Sequence, residues 1–254
     1  MMPRALIIRT AGTNCDRELN HAFKLAGAVP QTIHLNRLIE EPDLMNRFEL
    51  VAVPGGFSYG DDIAAGRIFA NRMHRALFDS FRAAIDRGTA IIGICNGFQV
   101  LVKMGLLPDP DESRQTATLA ANRSGRFIDR WVRLEASDDS ACVWTRSLGR
   151  FDLPIAHGEG RFVAESPEAL DRWTRCGQIA LRYAADDNPN GSTSNIAGVC
   201  DPSGLVLGLM PHPERHVHPT HHPRWSSGHR PDPAGLRLIA NAVRHVIATS
   251  VAEA

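Results

Sequence analysis

No apolar run in the 254-residue chain approaches the roughly 20 residues that a membrane-spanning helix requires. The longest, Thr89–Cys95 and Leu205–Met210, are strand-length pieces, so no membrane association is expected. The N-terminus lacks the apolar h-region and small-residue cleavage site of a signal peptide, and Met1 leads straight into a strand-like stretch, Arg4–Arg9. A cytoplasmic location is the corresponding expectation. Excess positive charge is lacking too: Lys+Arg and Asp+Glu both number 28. Nothing in the charge balance favours a polyanion, so nucleic acid is not an expected partner. Cysteines are few, and the five present, Cys15, Cys95, Cys142, Cys176 and Cys200, form no CxxC pair. An odd, scattered set fits reduced thiols, one of them free for chemistry, better than a disulfide framework or a zinc knuckle. No GxxxxGK[ST] phosphate loop occurs, so the chain offers no ATP site of its own.

What is present is an ordinary globular composition, 43% apolar and 22% charged, long enough to bury a sizeable core. Strand-like runs at Ala5–Ile8, Val29–Leu35 and Leu50–Val53 alternate with helix-like stretches at about Asp16–Ala26 and Pro42–Phe48. A longer helical pattern, about Asn71–Arg87, ends at Gly88, and Thr89–Cys95 follows as an uninterrupted apolar strand of the kind covered on both faces. This βαβ texture predicts an α/β fold with a central, mostly parallel sheet flanked by helices in three layers. Beyond Met104 a loop at Pro108–Asp111 precedes more strongly alternating strand candidates near Phe127–Glu135, Leu153–Ala156 and Ile179–Tyr183, which read as a smaller antiparallel extension. Asp186–Gly191 has turn chemistry, and the runs flanking Asp201–Gly204 read as a hairpin ending at Met210. A Pro- and His-rich segment, Pro211–Arg230, precedes a closing amphipathic helix from about Asp232 to Ala248. With no internal repeat and no clear linker, residues 1–254 read as a single domain.

Three fragments carry chemistry. In Gly93-Ile-Cys95-Asn-Gly97 a cysteine sits where an apolar strand turns into a helix, with glycine two residues to either side. That is the layout of a nucleophile elbow: the strained turn leaves no room for side chains two positions away, and the helix beginning near Asn96 aims its positive end at the sulfur. Taken alone, the pentapeptide is equally compatible with a buried structural cysteine. Met210-Pro-His212-Pro-Glu214 follows a predicted strand, and residues two apart in an extended segment face the same way. An imidazole that takes a thiol proton and a carboxylate that orients it would complete a Cys95–His212–Glu214 triad. Alternatively, His212 belongs to a solvated or metal-binding tract with His216, His218, His221, His222 and His229. The third fragment, Val53-Pro-Gly55-Gly56-Phe57, ends another predicted parallel strand, where ligands collect. Gly55 would lie against substrate, and the backbone amides of Gly56 and Asn96 would form an oxyanion hole; a plain loop is the alternative.

Together these fragments resemble the class I glutamine amidotransferases. Gly12-Thr-Asn-Cys-Asp-Arg-Glu18, Gly55-Gly-Phe-Ser-Tyr-Gly-Asp61, Ile155-Ala-His-Gly-Glu-Gly-Arg-Phe162 and Asn188-Pro-Asn-Gly-Ser192 further resemble the glutaminase subunits that serve purine biosynthesis. The resemblance implies glutamine as substrate, Cys95 as nucleophile, His212 as acid/base and Glu214 as its partner. It also implies that Gln99 contacts the substrate, although Gln99 also reads as a helix-capping or surface residue. Ammonia would pass to a separate synthetase subunit that uses ATP and Mg²⁺ to convert formylglycinamide ribonucleotide to the amidine, with a third, small bridging subunit in the complex; this chain itself would bind no cofactor and no metal. His157, Glu159 and Arg161 would lie near the partner or the ammonia route, or in a plain polar loop. Two departures stand out: Ala11 replaces a proline, and residues 217–233 form a longer, more His- and Pro-rich segment that would serve as partner contact, lid or insertion. A peptidase or deglycase of the related superfamily is a rival, but it would typically carry histidine directly after the nucleophile, where this chain has Asn96. A non-enzymatic metal-binding module built on the histidine tract is the other.

Overall fold

The computed structural model describes residues 2–110, 114–227 and 232–252. Its frame is a nine-stranded sheet in the order β2-β1-β3-β4-β11-β10-β9-β6-β7. β1 (Arg4–Arg9), β2 (Val29–His34), β3 (Leu50–Val53), β4 (Ala90–Ile94) and β11 (Val206–Leu209) pair in parallel. β10 (Ile196–Cys200), β9 (Ile179–Tyr183), β6 (Ile128–Ala136) and β7 (Arg150–His157) continue it antiparallel. All residues of β3, β4 and β11 are buried, because helices cover the parallel half on both faces and leave no polar side to the strands. The alternation in β6, with Val132 and Leu134 buried between more exposed neighbours, marks a sheet with one wetter face.

Helices α1 (Asp16–Leu25), α2 (Leu35–Glu40), α3 (Arg67–Asp86), α4 (Asn96–Lys103), α5 (Pro167–Arg175) and α6 (Ala234–Ala252) complete the chain. α3 places Phe69, Met73, Leu77, Phe81 and Ala84 in the core at spacings of three and four, the stripe that its sequence period predicts. The expected helix at Pro42–Phe48 is instead a 3-10 turn, Pro42–Arg47, preceded by α2. α3 begins four residues ahead of the expected Asn71, after Gly66 in a left-handed conformation. Two strands, β5 (Ala117–Ala121) and β8 (Glu159–Ala164), pair as a separate antiparallel ribbon, so the His157–Arg161 segment joins strand ends and is not a plain loop. These strands and α5 have no counterpart among the sequence expectations. α5 is short and amphipathic, capped by the Ser166 hydroxyl accepting from the Ala169 N–H. The predicted turn at Asp186–Gly191 closes on Asn188, whose side-chain oxygen accepts from the Gly191 and Ser192 N–H groups. Asp111 of the predicted loop, and His229 and Arg230 of the tract, lie outside the described residues. No helix among the described residues is long and apolar enough to cross a membrane.

Candidate active site

Cys95 sits between β4 and α4 at φ 52 and ψ −107, a conformation that is costly for a residue with a side chain. Gly93 and Gly97 make the turn possible. A Cβ at position 97 would lie 1.9 Å from the Val53 carbonyl oxygen, and one at position 93 would meet Leu101 Cδ1 at 2.6 Å and the Gly97 carbonyl at 2.7 Å. The sulfur faces the Ala156 carbonyl oxygen at 3.6 Å.

β11 is the neighbour of β4, and the Cys95 N–H donates to the Leu209 carbonyl at 2.8 Å, tying the nucleophile to the strand that leads into His212. The two parallel strands thus deliver thiol and imidazole to one rim of the sheet. The His212 N–H donates to the Pro154 carbonyl at 2.8 Å, which fixes the segment against β7. Glu214 lies in a short 3-10 turn, and its Oε1 is 2.6 Å from His212 Nδ1; both side chains are buried. Nδ1 therefore faces the carboxylate, and Nε2, which has no hydrogen-bond partner among the described residues, is left for the thiol side. Burial opposes charge on this imidazole. The Glu214 carboxylate, followed by Cys95 and Cys15, more than offsets that and raises His212 well above the usual histidine range. A proton taken from the thiol is thus well held as imidazolium.

Gly55 fits between these groups. A Cβ there would be 2.9 Å from His212 Cε1, 3.2 Å from Cys15 Sγ and 3.5 Å from Cys95 Cβ, so all three surround one point and any side chain would part them. Gly56, at φ 141, is gripped by the first loop: a Cβ would meet the Gly12 oxygen at 2.7 Å and the Asn14 nitrogen at 2.8 Å. Among the described residues its N–H donates to no backbone partner, and the Asn96 N–H, first in α4, has no helical partner. These are the two donors expected for an oxyanion.

Asn96 does more than lend its backbone. Its side chain accepts from the Ser58 N–H at 3.3 Å and donates to Asp61 Oδ1 at 3.1 Å and to Gln99 Oε1 at 3.0 Å. Gln99 is buried rather than on the surface; its Nε2 donates to the Glu159 carbonyl and its Oε1 is held by Asn96. It braces α4 against β8, next to the site. The Glu159 carboxylate accepts from the Ala65 N–H at 3.4 Å, and Arg161 Nε donates to the Ala121 carbonyl at 3.1 Å. Burial, above all, raises the Asp61 carboxyl, with Gly66 and Asn96 hydrogen bonds opposing.

The histidine tract is only partly packed: His218 is half-buried and His221 is exposed. His216 and His222 are buried, both edge-on to Trp131 at 5.1 and 4.6 Å between ring centroids, and His222 Nε2 is 3.3 Å from Asp152 Oδ2. Arg224 also pairs with Asp152, at 2.9 Å, so residues 222–224 are fastened to β7. Among the described residues the one group of three metal-capable side chains is Cys15, His212 and Glu214, not a cluster within the tract. Cys15 is the contact that sequence reasoning missed. Its sulfur is 3.9 Å from His212 Nδ1, accepts from Arg215 Nη2 at 3.2 Å and is pushed up by burial, partly offset by the hydrogen bond to His212. Gly12–Glu18 was legible as a motif, but nothing in it points to a residue 197 positions away.

Comparison with known proteins agrees with this geometry. Residues 2–246 match the family described as CobB/CobQ-like glutamine amidotransferase domain. The chain is 43% identical over 249 residues to phosphoribosylformylglycinamidine synthase subunit PurQ of Dehalococcoides mccartyi, covering 95% of this chain and 96% of that one. It is 42% identical over 242 residues to the subunit of the same name from Treponema denticola, covering 85% and 89%. Among solved structures, PurLQS from Thermotoga maritima aligns with a TM-score of 0.72 and 33% identity over 99% of this chain and 100% of that chain. Carrying the elbow cysteine on its parallel sheet, the chain belongs to the class I glutamine amidotransferases, within the CobB/CobQ-like family.

Proposed function

We propose that this chain is the glutaminase subunit of phosphoribosylformylglycinamidine synthase in purine biosynthesis, a cytoplasmic enzyme complex. The observation that carries the chemistry is the convergence of Cys95 Cβ and His212 Cε1 within 3.5 Å of the point a Cβ on Gly55 would occupy, with Glu214 Oε1 2.6 Å from His212 Nδ1. Cys95 Sγ attacks the side-chain carboxamide carbon of glutamine while His212 Nε2 takes the thiol proton. The Gly56 and Asn96 N–H groups hold the negative oxygen of the tetrahedral adduct. Collapse breaks the C–N bond, His212 returns the proton to the departing nitrogen, and ammonia leaves a γ-glutamyl thioester on Cys95. Water, deprotonated by His212, then releases glutamate. Glu214 keeps the imidazole oriented and stabilises its charged form. Gly55 lines the substrate, and Gln99 acts on it by holding Asn96 and β8 in place as well as by any direct contact.

The identity to two PurQ subunits over most of each chain supports the wider assignment, as does the likeness to PurLQS. In that assignment a synthetase subunit consumes ATP with Mg²⁺ and receives the ammonia, and a small bridging subunit completes the complex. The test uses the assembled complex. Cys95→Ala should lower glutamine-dependent amidine formation on the order of 10³-fold or more while ammonia-dependent formation is unchanged. A glutamine-like electrophile should label residue 95 of the wild type, located by mass spectrometry. Glutamine-dependent synthesis that survives Cys95→Ala would refute the mechanism.

A further inference from the structure

His157 closes β7 beside the nucleophile, and the mechanism above does not use it. It is 3% exposed. The carbonyl of its neighbour Ala156 is the group that faces Cys95 Sγ at 3.6 Å, and the His157 ring is close enough to His212 to feel its charge. The ring lies flat against Gly160, where a Cβ would meet Cε1, Nδ1 and Nε2 at 2.3 to 2.7 Å.

The protonation pattern of this ring follows from Asn122. The Asn122 amide nitrogen donates to two carbonyls, Arg126 at 2.9 Å and His157 at 2.8 Å, so the amide is oriented with its oxygen on the other side. That oxygen accepts from the Gly160 N–H at 3.2 Å and lies 3.0 Å from His157 Nδ1. An acceptor at that distance requires the proton on Nδ1. Nε2 is then a bare lone pair, and it is buried with no donor among the described residues. A buried acceptor left without a donor is costly and calls for a ligand that brings an N–H or O–H.

We propose that His157 Nε2 is the neutral acceptor that takes an N–H of the ammonia released at Cys95, the first station on its way out of the site. This deepens the glutaminase reading and rests on it. Ammonia has three N–H donors and a lone pair that must stay free if it is to attack at a distant synthetase. Two consecutive residues supply acceptors, the Ala156 carbonyl and His157 Nε2, and neither has a proton to give: the one on Nδ1 is committed to Asn122. Burial first, and the charge of His212 second, hold the imidazole down to about 4, so it does not become an acid that would trap the product as ammonium. A carboxylate in this place would stabilise ammonium and hold it.

The experiment is done on the complete complex with its synthetase and bridging subunits, by measuring glutamate released per amidine formed. His157→Ala should raise that ratio about fivefold, the effect of losing one hydrogen bond. Ammonia-dependent synthesis and electrophile labelling of Cys95 should stay at wild-type levels, and His157→Gln, which keeps an acceptor, should recover part of the coupling. An unchanged ratio in His157→Ala would overturn the proposal, and so would equal loss of labelling and coupling in both variants, which is what a purely structural histidine gives. Nitrogen NMR on the wild type provides a test independent of variant folding: the ring should remain the neutral Nδ1–H form down to pH 5, and an Nε2–H form or titration near 6.5 overturns the proposal. Failure of the wild type to be labelled at Cys95 would instead sink the glutaminase reading itself.

Discussion

At the scale of single residues, the triad was legible because its chemistry leaves local marks. The glycines at 93 and 97 flank the cysteine, and His212 and Glu214 are two apart in an extended segment, so each half of the site announces itself within five residues. The surrounding shell leaves no such mark. Cys15, Asn122 and His157 reach their partners across 197 and 35 positions, and an asparagine that orients an imidazole looks like any other asparagine in the sequence. His157 also makes a measurable statement about stability. Its folded value, about 4, lies below its ordinary 6.5, so the folded chain binds fewer protons than the unfolded one between those limits. Stability from this group is therefore complete above about pH 6.5 and is lost as pH falls toward 4, to a ceiling of about 3 kcal/mol. Urea titrations at pH 7.5 and 5 should show a smaller loss in His157→Gln than in the wild type. Equal losses in the two proteins would assign the acid sensitivity elsewhere.

At the scale of elements, the strands of the parallel half were the easiest to foresee. β3, β4 and β11 are buried along their whole length and so are continuous apolar runs. β5, β8 and α5 were missed for the opposite reason. The ribbon strands carry polar residues such as Thr118, Glu159 and Arg161 on their open face, and α5, though amphipathic, is nine residues long and buries only Ala169 and Trp173, too short a stretch to stand out. The predicted Pro42–Phe48 helix is instead a six-residue 3-10 turn, Pro42–Arg47, of the short kind that connects longer elements. The elbow between β4 and α4 supports a sharper test. Gly→Ala inside a helix ordinarily gains up to about 1 kcal/mol. At Gly97 the new methyl would lie 1.9 Å from the Val53 oxygen, so β3 and α4 must move apart. Gly97→Ala should lose about 1–3 kcal/mol by urea unfolding and lose electrophile labelling of Cys95. A neutral or stabilising change would show that the packing of α4 on β3 is looser than described.

At the scale of the whole molecule, sheet order departs from chain order. β4 and β11 are neighbours in the sheet, yet more than a hundred residues separate them. Without β11, the apolar strand Ala90–Ile94 would be an open edge, a ready template for aggregation. A chain ending at residue 195 should accordingly be insoluble, whereas one ending at residue 248, which removes only the last residues of α6, should stay soluble and native by circular dichroism. A soluble, cooperatively folding 1–195 fragment would contradict this view. The sequence predicted the three-layer plan and the antiparallel extension, because local periodicity reports which faces are covered. Strand neighbours are decided by long-range closure, which periodicity does not encode.

The hydrogen bond from the Cys95 N–H to the Leu209 carbonyl makes the strand that brings the base a structural partner of the nucleophile itself. A nascent polypeptide leaving the ribosome therefore carries the nucleophile without its base until residues 206–214 have emerged. Base and backbone support arrive together with that late strand, so an incomplete copy of this protein is expected to leave glutamine intact.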